Sequence, residues 1–141
     1  MYLLDTNVVS ELRKPKPHQG VVAWVQNASD ETLHLSAVTI GKMQAGIEIT
    51  REQNVEKANE IEAWLNSVAE TYNVIPVDAH IFRRRAQLLI MHRRPEHHLE
   101  DALIAATALV RGLSVVTRNV DDFKRFGVSL INPFTKRTAE S

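Results

Sequence analysis

Tyr2-Leu3-Leu4-Asp5-Thr6-Asn7-Val8-Val9-Ser10-Glu11-Leu12 decides how this chain is read. A short apolar run stops at a carboxylate, the pattern of a buried strand that ends where polar residues begin. Asp5, Thr6 and Asn7 are cap-type residues, and Val8, Val9 and Leu12 continue as a short helix. The stretch therefore reads as a strand that hands over to a helix through a polar turn. The same grammar recurs along the chain. Leu33-His34-Leu35 runs into Ser36, an N-cap for a helix carrying Ile40, Met43, Ile47 and Ile49. Val74-Ile75-Pro76-Val77 runs into Asp78, which caps a helix over 79–92. A helix from about 96 to 111 meets Gly112, a C′ stop, and Leu113-Ser114-Val115-Val116 follows as a strand. Val128-Ser129-Leu130-Ile131 reads as the last strand. Further helices cover Val21 to Val25 and Val55 to Tyr72. Strands alternating with helices predict an α/β domain with a mainly parallel, five-stranded sheet.

The chain has 141 residues, 44% of them hydrophobic, which suits one domain with a core of its own. We place that domain at 1–134 and a polar C-terminal tail at 135–141. Cysteine is absent, which excludes a disulfide framework, a thiolate metal site and a Cys nucleophile. Lys+Arg and Asp+Glu are 17 each, so bulk charge makes no case for nucleic-acid binding. No basic-then-apolar leader opens the chain, and no apolar run nears the roughly 20 residues of a membrane span. The expectation is a soluble cytoplasmic protein without a membrane partner. The five glycines form no phosphate-binding loop. His97 and His98 are adjacent rather than four apart, which does not make a zinc pair on a helix. Trp24 and Trp64 fall on apolar helix stripes, as core or dimer-interface residues.

Three acids stand where strands give way to helices or loops. Asp5 follows the first strand, Asp101 lies in the first turn of the 96–111 helix, and Asp122 comes just after the strand ending at Val116. Singly, each serves as a helix cap, a placement worth roughly 0.3–1 kcal/mol. Together they have a second use, because ligands of open α/β sheets sit outside the carboxyl ends of the strands. Hard oxygen ligands without Cys suit Mg²⁺ or Mn²⁺. Such an ion stabilises charge on a phosphoryl group and activates water for attack.

The local wording separates these readings. Leu3-Leu4-Asp5-Thr6-Asn7-Val8-Val9-Ser10-Glu11, Leu35-Ser36-Ala37-Val38-Thr39-Ile40-Gly41, Glu100-Asp101-Ala102-Leu103-Ile104-Ala105-Ala106-Thr107-Ala108 and Val115-Val116-Thr117-Arg118-Asn119-Val120-Asp121-Asp122-Phe123 occur in that order, closing on Asn132-Pro133-Phe134. The chain closely resembles PIN-domain proteins of the VapC/FitB type, the toxin halves of bacterial type II toxin–antitoxin pairs. The resemblance implies a parallel sheet with helices on both faces. It implies a Mg²⁺- or Mn²⁺-dependent endoribonuclease, a homodimer, held inactive by a cognate antitoxin through which it also meets operator DNA. Asp5, Asp101 and Asp122 match the family's metal-site acids. Asp122 is chosen because the family acid directly precedes Phe, with Asp121 the fallback. Thr6, Asn7, Thr117 and Asn119 match polar positions around that site, where they orient carboxylates, metal waters or phosphate. Glu11 is the nearest further acid, a supporting carboxylate behind Asp5.

One position departs from the family. After Gly41 the pattern calls for Glu, and this chain has Lys42. An ammonium among the three acids would compete with the metal as a tethered counter-ion. At about 4 Å and an effective dielectric near 20, each unit pair is worth roughly 4 kcal/mol before desolvation. Glu48 lies on another helix face, and Ala45 and Gly46, which share the face of Lys42, carry no ligand. Three explanations stay open: a change that disarms the nuclease, a weakened or non-catalytic member, or a lysine turned to solvent. The expectation is poor metal binding and slow or absent RNA cleavage.

Lys14, Lys16, Arg83-Arg84-Arg85, His92, Arg93-Arg94, His97 and His98 offer a positive rim for RNA phosphates, or else solvated helix and loop surface. The helices from Val38 to Ile49 and Val55 to Tyr72 are candidate dimer surfaces. The main rival is a non-catalytic module of the same fold, kept for antitoxin, RNA or DNA-complex binding. A phosphotransfer enzyme with Asp5 as nucleophile would want a second Asp where Asn7 stands.

Overall fold

A computed structural model of the chain describes residues 1–92 and 99–135. Five strands form one sheet: β1 (Tyr2–Leu4), β2 (Leu33–Ser36), β3 (Asn73–Ile75), β4 (Ser114–Val116) and β5 (Leu130–Ile131). Their order is β3-β2-β1-β4-β5 and every pairing is parallel. The helices among the described residues are α1 (Thr6–Leu12), α2 (Gln19–Asn27), α3 (Ala37–Arg51), α4 (Val55–Thr71), α5 (Ala79–His92), α6 (Leu99–Arg111) and α7 (Val120–Lys124).

The period-2 alternation of strand side chains builds two cores. Leu3 and Val115 face one layer with Ile81, Leu88 and Leu89 of α5, the Ala102–Ala108 run of α6, and Phe123. Leu4 and Val116 face the other with Val8 and Val9 of α1, Val21 and Val25 of α2, and Val68 of α4. Helices thus cover both faces, as the resemblance implied. A smaller cluster of Ile47, Ala58 and Leu65 joins α3 to α4. Trp24 and Trp64 pack against these clusters, and Trp24 meets Tyr2 edge-on at 4.9 Å.

The local signals act as read. Ser36 accepts the Val38 N–H at 3.0 Å and Asp78 accepts the Ile81 N–H at 3.0 Å. Gly112, with φ +70°, closes α6 as the Leu113 N–H reaches back to the Ala108 carbonyl at 2.8 Å. Four strands differ in their bounds: β2 extends through Ser36 and β4 begins at Ser114 rather than Leu113, and two others change more. The third strand is Asn73–Ile75 rather than 74–77, because Asn73 pairs with His34 while Pro76 has no N–H to donate. The last shortens to Leu130–Ile131, the two residues opposite Val115 and Val116.

The strand order places the site. β1 is paired with β2 on one side and β4 on the other, and the chain returns to β1's far side only at β4. Such a switch point opens a crevice at the carboxyl ends of the two strands. Asp5 and Thr117 are the first residues past those ends.

Candidate active-site cleft

Asp5 is the N-cap of α1, with φ −71° and ψ 158°. Its own N–H continues the β1–β4 ladder to the Val116 carbonyl at 2.9 Å, which locks its position at the crevice. One carboxylate oxygen accepts the Thr6 N–H at 2.8 Å. The other accepts the Thr117 hydroxyl at 2.8 Å and the Asn7 amide at 3.2 Å. Asp5 is only 7% exposed. Burial pushes its carboxyl above the ordinary carboxylate value, and this outweighs the lowering by Thr117, by the Thr6 N–H and by the Lys42 charge. The Glu100 charge pushes it the same way as burial. A buried carboxylate with that balance is stabilised by any cation brought beside it.

The supporting residues form one network. Thr117 Oγ1 also accepts the Asn119 N–H at 2.9 Å and lies 3.4 Å from the Asn7 amide nitrogen. Asn7 Oδ1 accepts the Arg118 N–H at 3.2 Å. The Thr6 hydroxyl is 3.0 Å from that of Thr39 in the first turn of α3, tying α1 to α3.

Asp5 and Asp101 line a single cleft of about 380 Å³ with Thr6, Asn7, Ser10, Glu11, Lys14, Lys42, Arg118 and Asn119. Asp122 does not line it. Together with Asp121 it lines an adjoining hollow that shares Arg118 and Asn119 with the cleft. Asp121 there points to solvent and pairs with Lys124 at 3.2 Å. Glu11 stands on the cleft wall, its carboxylate engaged by Lys14 at 2.9 Å, the His18 N–H at 2.9 Å and Arg118 at 3.7 Å.

Lys42 reaches the cleft, where its ammonium meets Glu100 at 3.2 Å, the two side chains being 57% and 52% exposed. Glu100 is a partner of Lys42 that the sequence reading did not single out. Its only signal was the Glu100-Asp101 doublet at a helix start. Arg118 was missed as well, hidden between the two polar positions Thr117 and Asn119. Glu48 turns away into a network with Gln44 and Arg51 that reaches Glu62 of α4.

Lys14 is the one member of the expected positive rim on the cleft wall among the described residues. Arg83 and Arg84 border a separate hollow with His80, Gln87 and Val110. Residues 93–98, which include Arg93, Arg94, His97 and His98, lie outside the described residues, as does the side chain of His92.

No three His, Asp or Glu side chains among the described residues stand together as a metal cage. The donors present still suit Mg²⁺ chemically. That ion keeps several waters and takes only one or two carboxylates plus substrate phosphate. Asp5 and Asp101, both on the cleft wall, supply that number.

The comparisons agree with this geometry. The PIN domain model matches residues 2–128. The VapC ribonuclease Y4jK of Sinorhizobium fredii is 33% identical over 138 residues, covering 95% of this chain and 98% of that protein. Toxin FitB of Neisseria gonorrhoeae is 32% identical, covering 95% of this chain and 99% of FitB. The structure of FitAB bound to an IR36 DNA fragment superposes with a TM-score of 0.86 at 30% identity over 99% of each chain. The strand order, the acids at the switch point and the full-length match leave one assignment: the chain belongs to the PIN-domain family, among its VapC/FitB-type members.

Proposed function

We propose that this cleft is the centre of a Mg²⁺- or Mn²⁺-dependent endoribonuclease, the toxin of a toxin–antitoxin pair, and that Lys42 damps its activity. The observation that carries the reading is Asp5. It is a buried carboxylate held by three donors, destabilised in its charged form, and open to a cleft shared with Asp101. Function-free burial of such a group costs stability, so a cation or a phosphate-bound ion is its natural complement. Asp5 and Asp101 would hold the metal, and Asp122 is the third acid of this reading, from the adjoining hollow. Thr117 and Asn7 hold Asp5 in one orientation. The metal would neutralise charge on the scissile phosphate and make a bound water more acidic.

In this reading Lys42 takes the place of the Glu that the family resemblance implies. With Glu100 it forms an ion pair at the cleft, so a carboxylate that could attract a metal or accept hydrogen bonds from its waters is engaged by an ammonium instead. A cognate antitoxin is the partner of this reading, with operator DNA reached through it, and a second copy of the chain completes a homodimer. The Lys42–Glu100 pair also favours a second reading, a non-catalytic module kept for antitoxin or nucleic-acid binding.

The test is cleavage of RNA by the purified chain with Mg²⁺ or Mn²⁺, against EDTA, Asp5→Asn and Asp101→Asn. Slow, metal-dependent cleavage abolished by both substitutions supports the nuclease. Cleavage that persists in EDTA or in Asp5→Asn overturns it. No cleavage by the native chain or by Lys42→Glu favours the second reading.

A further inference from the structure

The cleft presents a problem for any phosphodiester substrate. Asp5 and Asp101 both repel it, and Lys42 is already neutralised by Glu100. Two other cations line the same cleft, Lys14 and Arg118, and both converge on Glu11.

The contrast in exposure is informative. The Glu11 side chain is 7% exposed, while those of Lys14 and Arg118 are 56% and 53% exposed. A buried anion thus holds two cations that face solvent. Glu11 Oε1 lies 2.9 Å from Lys14 Nζ and 3.7 Å from Arg118 Nη2, and Oε2 accepts the His18 N–H at 2.9 Å. Arg118 is fixed from two further directions. Its N–H donates to Asn7 Oδ1 at 3.2 Å, and its guanidinium carbon lies 4.0 Å from the centre of the Phe134 ring. A guanidinium stacked on a ring keeps its edge donors for the oxygens of a phosphate. The hydrogen bond from Lys14, then that from His18, hold the Glu11 carboxyl below its ordinary value, so it stays charged.

We propose that Glu11 is a positioning residue that sets Lys14 and Arg118 as a two-cation arm gripping the RNA backbone beside the acidic centre. This rests on the reading of the cleft as an RNA site. Glu11 itself does not touch the phosphate. It holds the arm, and its negative charge leaves the trio with a net positive one.

The sign of one substitution separates positioning from bulk electrostatics. Glu11→Gln removes a negative charge from the cleft, so bulk charge alone predicts tighter RNA binding. Loss of a positioned arm predicts weaker binding. The probe is a fluorescent oligoribonucleotide titrated with the full chain in EDTA, which withholds the metal that cleavage requires. Thermal unfolding confirms that each variant is folded.

Glu11→Gln is expected to weaken binding by about threefold or more, with the effect vanishing in a Lys14→Ala/Arg118→Ala background. That double substitution is expected to flatten the log–log salt slope by about 1.4, the single-strand value for two phosphate contacts. Unchanged or tighter binding by folded Glu11→Gln overturns the proposal. So does an equal loss in both backgrounds, or no binding by the native chain. Should Glu11→Gln prove unfolded, Arg118→Ala and Lys14→Ala decide: an unchanged salt slope in both overturns it. RNA binding with these responses but without cleavage supports the arm while refuting the nuclease reading.

Discussion

Lys42→Glu should make the metal-free protein less stable and its metal response larger. In the native chain the Lys42 ammonium lies 3.2 Å from Glu100, both side chains being about half-exposed. A pair so placed is worth roughly 0–1 kcal/mol. The substitution replaces it with a carboxylate facing Glu100, on a cleft that already carries Asp5 and Asp101. Each like-charge contact near 4 Å costs about 1 kcal/mol in a water-like medium. The sum is about 2 kcal/mol, since the exposed side chains can swing partly apart. For a domain of this size that lowers Tm by about 6 °C. The same crowding is what a divalent cation relieves. A ligand at a hundred times its Kd stabilises by about 2.7 kcal/mol, enough to restore the loss.

The assay is far-UV circular dichroism melting at low salt, in EDTA and in millimolar Mn²⁺. We expect Lys42→Glu to melt lower in EDTA and to gain several degrees from Mn²⁺, while the native chain gains little. Raising NaCl to about 1 M shortens the screening length to about 3 Å and should shrink the EDTA difference. An equal Mn²⁺ shift in both proteins would refute the idea that Lys42 competes with metal.

Other consequences follow from the same contacts. Asp5→Asn should leave Tm unchanged or raise it at neutral pH, because it removes a buried charge, while one donor–donor conflict with Asn7 or Thr117 offsets part of the gain. The native form binds its Asp5 proton more tightly than the unfolded chain does. Stability should therefore fall as pH rises from the ordinary value of 3.8 through the raised folded value, and Asp5→Asn should remove that component of the slope in acid–base melting series. Gly20→Ala should destabilise by about 1–3 kcal/mol in urea unfolding, since its new Cβ would stand 2.6 Å from the Pro133 carbonyl oxygen, a backbone atom that must move. A Gly20→Ala protein as stable as the native one would show that the Pro133–Phe134 segment yields freely.

What the sequence discloses about this molecule divides by range. Asp5 could be placed because everything that fixes it is local: the apolar run before it, the capping pattern after it and the short helix beyond. Thr117 could be placed for the same reason at the end of β4. The pairing of Lys42 with Glu100 was out of reach, because it joins the second turn of α3 to the first turn of α6, two helices far apart in sequence. Glu11 shows the same limit. Its nearness to Asp5 in sequence suggested a carboxylate backing the metal site, yet its oxygens turn to Lys14, His18 and Arg118. The separation of Asp122 into the adjoining hollow depends on how α7 leaves the end of β4, which no periodicity encodes.

The central claim is that Asp5 and Asp101 form a metal-dependent RNA-cleaving centre that Lys42 restrains. Its most direct test is the initial rate of RNA cleavage in Mg²⁺ or Mn²⁺ for the native chain and for Lys42→Glu, with Asp5→Asn as the blank. We predict that Lys42→Glu cleaves faster by about tenfold or more, a barrier change of about 1.4 kcal/mol, and that EDTA abolishes the difference. Equal, robust cleavage by both proteins would contradict the account.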